Sequence, residues 1–166
     1  MEIQLRPWDI SDLNNLVKYG NNIKIASNLT DTFPHPYTEN DGIAFIERVT
    51  KDKPVKVFAI ELNKEAIGSI GLFPQQDIFR KNAELGYWIA EPFWGQGITT
   101  KAIQLITEYG FKNLDLVRIF ARPFGTNIGS QRALQKAGFK LEAKYENTIF
   151  KNGVFLDELV YAIRKT

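Results

Sequence analysis

The sequence predicts a mixed α/β fold, an α+β arrangement of one sheet with helices packed against it, and three observations carry that reading. Runs rich in β-formers come as neighbours, "KVFAIEL" beside "AIGSIGLF" and "FKLEAKYENTIF" beside "VFLDELVYAI", each pair joined by a short polar turn as in an antiparallel hairpin. "AELGYWIA" and "VRIFARPF" are separated instead by a helical run, the crossover that a parallel pair requires. Helical spacing fills much of the rest, so strands and helices share one chain.

Taken in order, "IQLRPW" alternates as a first strand, and Asp9 or Ser11 caps a helix reaching about Tyr19, which "GNN" stops. A short second helix covers "IKIASNL". "TDTFPHPYT", with prolines flanking His35, reads as an irregular loop of the kind that often lines substrate sites. "ENDGIAFIERVTK" then resumes helical spacing, with Ile43, Ile46 and Val49 on one side. After the first hairpin, closed by "NKE", comes the strand "AELGYWIA". A helix, the strand "VRIFARPF", the helix "GSQRALQKAG" and the second hairpin, closed by "KNG", complete the chain.

Composition excludes several classes of function. At 166 residues and 44% hydrophobic content the chain suits a single domain, residues 1–166, with a substantial core, and no stretch approaches the roughly 20 apolar residues of a membrane span. The amino terminus lacks the order of a secretory signal and there is no cysteine, which together point to a reducing cytoplasm. One histidine and no cysteine leave little room for a metal. A net charge of +2, with no basic stripe interleaved with aromatics, argues against nucleic acid. The charge is uneven: residues 1–100 hold ten basic and thirteen acidic side chains, residues 101–166 eleven and six, so an anionic ligand suits the second half.

The chemistry concentrates at "EPFWGQGITTKA", where a strand gives way to a helix through two glycines. The first amides of a helix lack internal partners and lie at the positive end of its dipole, so this joint offers a cradle for phosphate. Gly95 and Gly97 let an anion approach the backbone. Thr99 and Thr100 either add hydroxyl donors or cap the helix. The nucleotide-binding alternatives fail, since neither a Walker lysine nor the third glycine of GxGxxG is present.

Together with "RIFARPFGTNIGSQRALQKAGFKLE", this stretch resembles the acyl-CoA-binding half of the GNAT superfamily of N-acetyltransferases, and within it the branch that acetylates ribosomal proteins, RimJ and RimL. The match is strongest over residues 83–142 and rests on "GYW", "WGQG", "NIGS" and "KAGF" in order. It implies a GNAT fold, a mostly antiparallel sheet whose one parallel pair splays around acetyl-CoA. It further implies that Gly95, Gln96, Gly97, Ile98, Thr99 and Thr100 wrap the pyrophosphate and that Trp88 and Ile89 pair their backbone with pantetheine. Asn127 and Ser130 would flank the thioester as catalytic residues, with Arg132 and Lys136 toward the nucleotide; read alone, Asn127 is equally a helix cap, Ser130 a solvated residue and the cations an exposed face. Many relatives carry a tyrosine four residues beyond Ser130, as the acid for the departing thiolate. Here that position is Leu134, so Ser130 or an ordered water must serve. Lys101 replaces a glutamate common at its position.

A protein amino terminus has a pKa of about 8 and lysine about 10.4, so the α-amine is easier to deprotonate by roughly 3 kcal/mol at neutral pH. Glu84 is the charged residue of its strand and falls with Gly86 and Trp88 on one face. It is the candidate general base, if it does not merely guard the strand from mispairing. Without cysteine to carry the acyl group, direct transfer and sequential kinetics follow. The resemblance favours a protein α-amino group as acceptor, with polyamines, aminoglycosides and amino sugars as alternatives, and Trp8, Phe33, His35 and Tyr37 as candidate pocket walls. A non-catalytic acyl-CoA sensor is kept open by Leu134. The branch contains both monomers and homodimers.

Overall fold

The computed structural model describes residues 1–166. Seven strands, β1 (Ile3–Pro7), β2 (Val57–Leu62), β3 (Glu65–Pro74), β4 (Asn82–Ile89), β5 (Arg118–Ala121), β6 (Lys140–Lys151) and β7 (Val154–Arg164), form one sheet in the order β1-β2-β3-β4-β5-β7-β6. Every neighbouring pair is antiparallel except β4 and β5. Helix α4 (Ile98–Asn113) supplies the crossover between that pair, as the spacing predicts.

Both hairpin turns follow from their residues. Asn63 and Lys64 (φ 51° and 68°) and Asn152 and Gly153 (φ 51° and 77°) adopt the left-handed conformation that a two-residue turn needs to match the twist of its strands. The helices α1 (Leu13–Gly20), α2 (Ile23–Ala26) and α3 (Glu39–Val49) precede β2, and α5 (Ile128–Lys136) follows β5. Thr38 and Asp41 form a reciprocal cap at the start of α3. The first helix begins later than its capping pattern suggests. Asp9 caps a 3-10 turn over Ile10–Asp12, and Arg6 of β1 grips Asp12 at 2.7 and 2.8 Å, which sets that turn before α1 begins. Strand β5 is shorter than its apolar run, ending at Ala121 ahead of Pro123, which has no amide to give a ladder.

Two apolar clusters hold the layers. Residues of α4 and α5, among them Ala102, Ile103, Ile106 and Leu134, pack with Ile60, Ile70, Leu72 and Ile119 of the sheet. A smaller cluster joins Leu16 of α1 and Ile46 and Val49 of α3 to Val57, Ala59 and Ala66. No helix is long and apolar enough to cross a membrane.

Candidate active site

The parallel pairing of β4 with β5 covers only Asn82–Glu84 against Arg118–Phe120 and then stops, so the strands part. A cavity of about 1050 Å³ occupies the gap and the surface around it. The free edge of β4 belongs to particular residues. Ala90 donates its amide to Ile67 of the β3 hairpin arm at 2.8 Å, so alternation turns the backbone of Trp88 toward β3 as well and leaves that of Tyr87 and Ile89 facing the cleft. Ile89 therefore fits the expected pairing and Trp88 does not: its backbone is already committed to the sheet. The indole of Trp94 donates to the Ile89 carbonyl at 2.7 Å and fixes the chain as it leaves the strand.

Beyond a 3-10 turn at Glu91–Phe93 the chain runs through Gly95 and Gly97, at φ 74° and 77°, into α4. Six consecutive amides, Gly95, Gln96, Gly97, Ile98, Thr99 and Thr100, have no acceptor in the protein, and the first bond of the helix is Lys101 to Gly97. A Cβ built on either glycine would meet nothing within 4 Å. The cradle is thus open and its donors are free. Gln96 turns its side chain back to the Pro92 carbonyl at 3.1 Å and offers only its backbone. Gly97 is the N-cap residue and no side chain caps the helix, so Thr99 and Thr100 do not act as caps. No acidic residue lies in the first turn, which leaves the positive pole of α4 uncompensated.

The start of α5 forms the facing wall. Asn127 caps that helix, its Oδ1 accepting from the Ser130 amide at 3.2 Å. Ser130 Oγ lies 2.5 Å from the hydroxyl of Tyr87, a residue the sequence motif contains but whose side chain it does not assign. Burial pushes the Tyr87 phenol up to about 12. Leu134 is fully buried in the core, so the family position for a tyrosine acid faces packing here. Arg132 and Lys136 are exposed and neither lines the cavity, so the structure does not bring Lys136 to the other expected ligand-binding residues.

Glu84, Gly86 and Trp88, which alternation puts on one face of β4, all line the cavity. Glu84 is not an isolated carboxylate. Arg122 donates to it at 3.1 and 3.4 Å and reaches Glu158 at 3.5 Å, a bridge invisible to local pattern because the partners are 36 to 38 positions apart. Phe33, Tyr37 and Trp88 form an aromatic wall, with ring centroids 5.1 and 5.9 Å apart, and burial followed by the charge of Asp41 pushes the Tyr37 phenol up to about 12. Two expected walls are absent. Trp8 is core, edge-on to Phe45 at 5.4 Å with its indole nitrogen buried and unpartnered, and His35 is exposed outside the cavity lining. Trp8 is drawn into the cluster beneath α1 and α3, with Leu16, Ile46 and Val49, which takes its ring out of the cleft.

Residues 2–140 match the acetyltransferase (GNAT) domain family. The chain belongs to the GNAT family. The uncharacterised N-acetyltransferase YoaA of Bacillus subtilis (strain 168) is 35% identical over 144 residues, covering 86% of this chain and 74% of that protein. The spermidine N(1)-acetyltransferase of Escherichia coli (strain K12) is 27% identical over 159 residues, 92% of this chain and 81% of that one. In structure the GNAT chain superposes on RimL, a ribosomal L7/L12 α-N-protein acetyltransferase in complex with coenzyme A, with a TM-score of 0.84 at 23% identity, covering 98% and 93% of the two chains. The protein is an acyltransferase, and acetyl-CoA is its cosubstrate. The splayed strands and free amides of this chain fit that molecule, an anionic head on a narrow amide-bearing arm.

Proposed function

We propose that the protein transfers the acetyl group of acetyl-CoA directly to a primary amine, and that its preferred acceptor is the α-amino group of a polypeptide. The six acceptorless amides from Gly95 to Thr100 carry the first half of this reading, since they suit a diphosphate and nothing in the chain competes for them. The Ile89 amide hydrogen-bonds the pantetheine arm along the free edge of β4. Ser130, at the mouth of α5, gives a proton to the departing sulfur.

The acceptor enters over Phe33, Tyr37 and Trp88 toward Glu84. An α-amine arrives partly neutral at pH 7, so the ion-paired Glu84 need only help a proton away through water. The likeness to RimL supports a polypeptide; the likeness to a spermidine acetyltransferase supports a polyamine, which the carboxylates Glu84 and Glu158 would also attract.

Thiol release from acetyl-CoA against short peptides with free amino termini, the same peptides blocked at that end, spermidine and an aminoglycoside decides the matter. Turnover confined to free peptides is expected. Turnover of spermidine or the aminoglycoside alone overturns the polypeptide reading. Glu84→Gln should lower turnover at least tenfold and alter its pH profile; an unchanged rate and profile remove Glu84 from the mechanism.

A further inference from the structure

We propose that Tyr87 is a positioning residue for acetyl transfer: its hydroxyl donates to Ser130 Oγ and so aims the Ser130 proton into the cleft. This rests on the reading of Ser130 as proton donor to the leaving sulfur and adds the group that orients it.

The two oxygens are 2.5 Å apart, and geometry alone lets either donate. Relative acidity decides the direction. A phenol is the stronger donor and an aliphatic hydroxyl oxygen the better acceptor, so the half-buried Tyr87 hydroxyl, whose one protein partner is Ser130, donates. If it donates, the hydrogen left over belongs to Ser130, on the cleft wall, where the thioester lies. Desolvation also holds the phenol protonated well past neutral pH, so the donor is present throughout the working range.

Ser130 cannot turn away on its own. Its amide is bonded to Asn127 Oδ1 and its backbone is fixed in the first turn of α5, which leaves χ1 as the free coordinate. Tyr87 is equally fixed, because its strand is paired to β3 along its length. The hydroxyl pair is therefore a joint between two rigid elements, β4 and α5, across the gap that acetyl-CoA fills.

The reaction balances without Tyr87 losing its proton. The amine nitrogen forms a bond to the carbonyl carbon, the carbon–sulfur bond breaks with its pair on sulfur, and the proton taken by sulfur from Ser130 is restored by the one the nitrogen sheds. Neither hydroxyl can lose its proton permanently to a thiol near about 8.5, so Ser130 passes one on only as the proton shed by nitrogen replaces it, and Tyr87 keeps its own throughout.

Ser130→Ala, Ser130→Thr, Tyr87→Phe and the Ser130→Ala/Tyr87→Phe pair test this by thiol release from acetyl-CoA, to the best amine of the panel or to water. Ser130→Ala should lower kcat about 100-fold and Tyr87→Phe about 10-fold, with KM for acetyl-CoA changed less than about twofold. The pair should match Ser130→Ala alone, and Ser130→Thr, which keeps an oxygen for Tyr87, should recover most of the rate. In the free protein, a slowly exchanging hydroxyl proton should be assigned by NMR to Tyr87 Oη and be lost from that position in Ser130→Ala.

A full rate in Tyr87→Phe beside an impaired Ser130→Ala overturns the role of Tyr87 and leaves that of Ser130 standing. An unimpaired Ser130→Ala overturns the proton-donor reading itself. Losses that multiply in the pair, or a bonded proton assigned to Ser130 Oγ, overturn the joint; if Tyr87→Phe fails to fold, the NMR assignment and Ser130→Thr still decide.

Discussion

Gly97 shows what a single residue contributes to the cradle. Its φ of 77° lies where an L side chain is strained, yet a Cβ there meets no atom within 4 Å. Replacing it with alanine therefore costs about 1 kcal/mol of backbone strain and no packing. The free amides are the larger casualty, because relief of that strain rotates them out of a common focus. Gly97→Ala should raise the Kd for coenzyme A about tenfold by calorimetry while unfolding only a few degrees earlier; unchanged affinity would show that the amides do not hold the anion. The glycines were legible in the sequence because their role is local. Trp8, His35 and Glu84 were less so: whether an aromatic ring lines a cleft or fills the core depends on helices packed from elsewhere, and the Arg122 beside Glu84 lies just past the end of β5. Tyr87 was legible only as part of a motif, since alternation sends it to the face opposite Glu84 and its partner lies 43 residues away.

At the level of elements, the pairing of the hairpins and the parallel crossover could be read from sequence because turn residues and connection length dictate them, whereas the register shifts at Ile60/Glu61 and within β6 could not. The extent of β5 was less legible: its regular ladder stops at Ala121 ahead of Pro123, and only an isolated bridge from Phe124 to Glu158 carries the contact with β7 further. Helix α4 shows packing overruling propensity. Gly110 sits in its last turns, where alanine normally gains about 1 kcal/mol. Here the added Cβ would overlap Leu72 Cδ1 and press on Ile119 Cδ1 at 3.2 Å, both residues fully buried with nowhere to move. Overpacking of that kind costs about 1–3 kcal/mol. In α5, a Cβ on Gly129 meets only Asn127 Oδ1, at 3.9 Å, so there propensity acts unopposed. Thermal unfolding should thus place Gly110→Ala below the parent by roughly 2–5 °C and Gly129→Ala slightly above it. A rise for both would mean that α4 sits more loosely on the sheet than these contacts imply.

Across the whole molecule, the two helical layers meet the sheet through apolar side chains, and the phenols drawn into them tie stability to alkaline pH. Tyr37 and Tyr87 are both pushed from the ordinary value of 10 up to about 12, with burial the leading cause in each. Between those values the unfolded chain sheds protons that the native chain keeps, so the native state binds more protons and stability falls as pH rises. Each phenol's contribution is fully present below pH 10 and gone by about pH 12, at most roughly 2–3 kcal/mol. Urea unfolding from pH 9 to 12 should show this loss, and Tyr87→Phe, which has no proton to shed, should lose about half as much over the same span. Because Tyr87 bridges β4 and α5, that comparison also tests how far their contact shields the phenol. An alkaline slope identical in the variant and its parent would place the Tyr87 phenol in solvent, away from the packed contact with Ser130 that the joint requires.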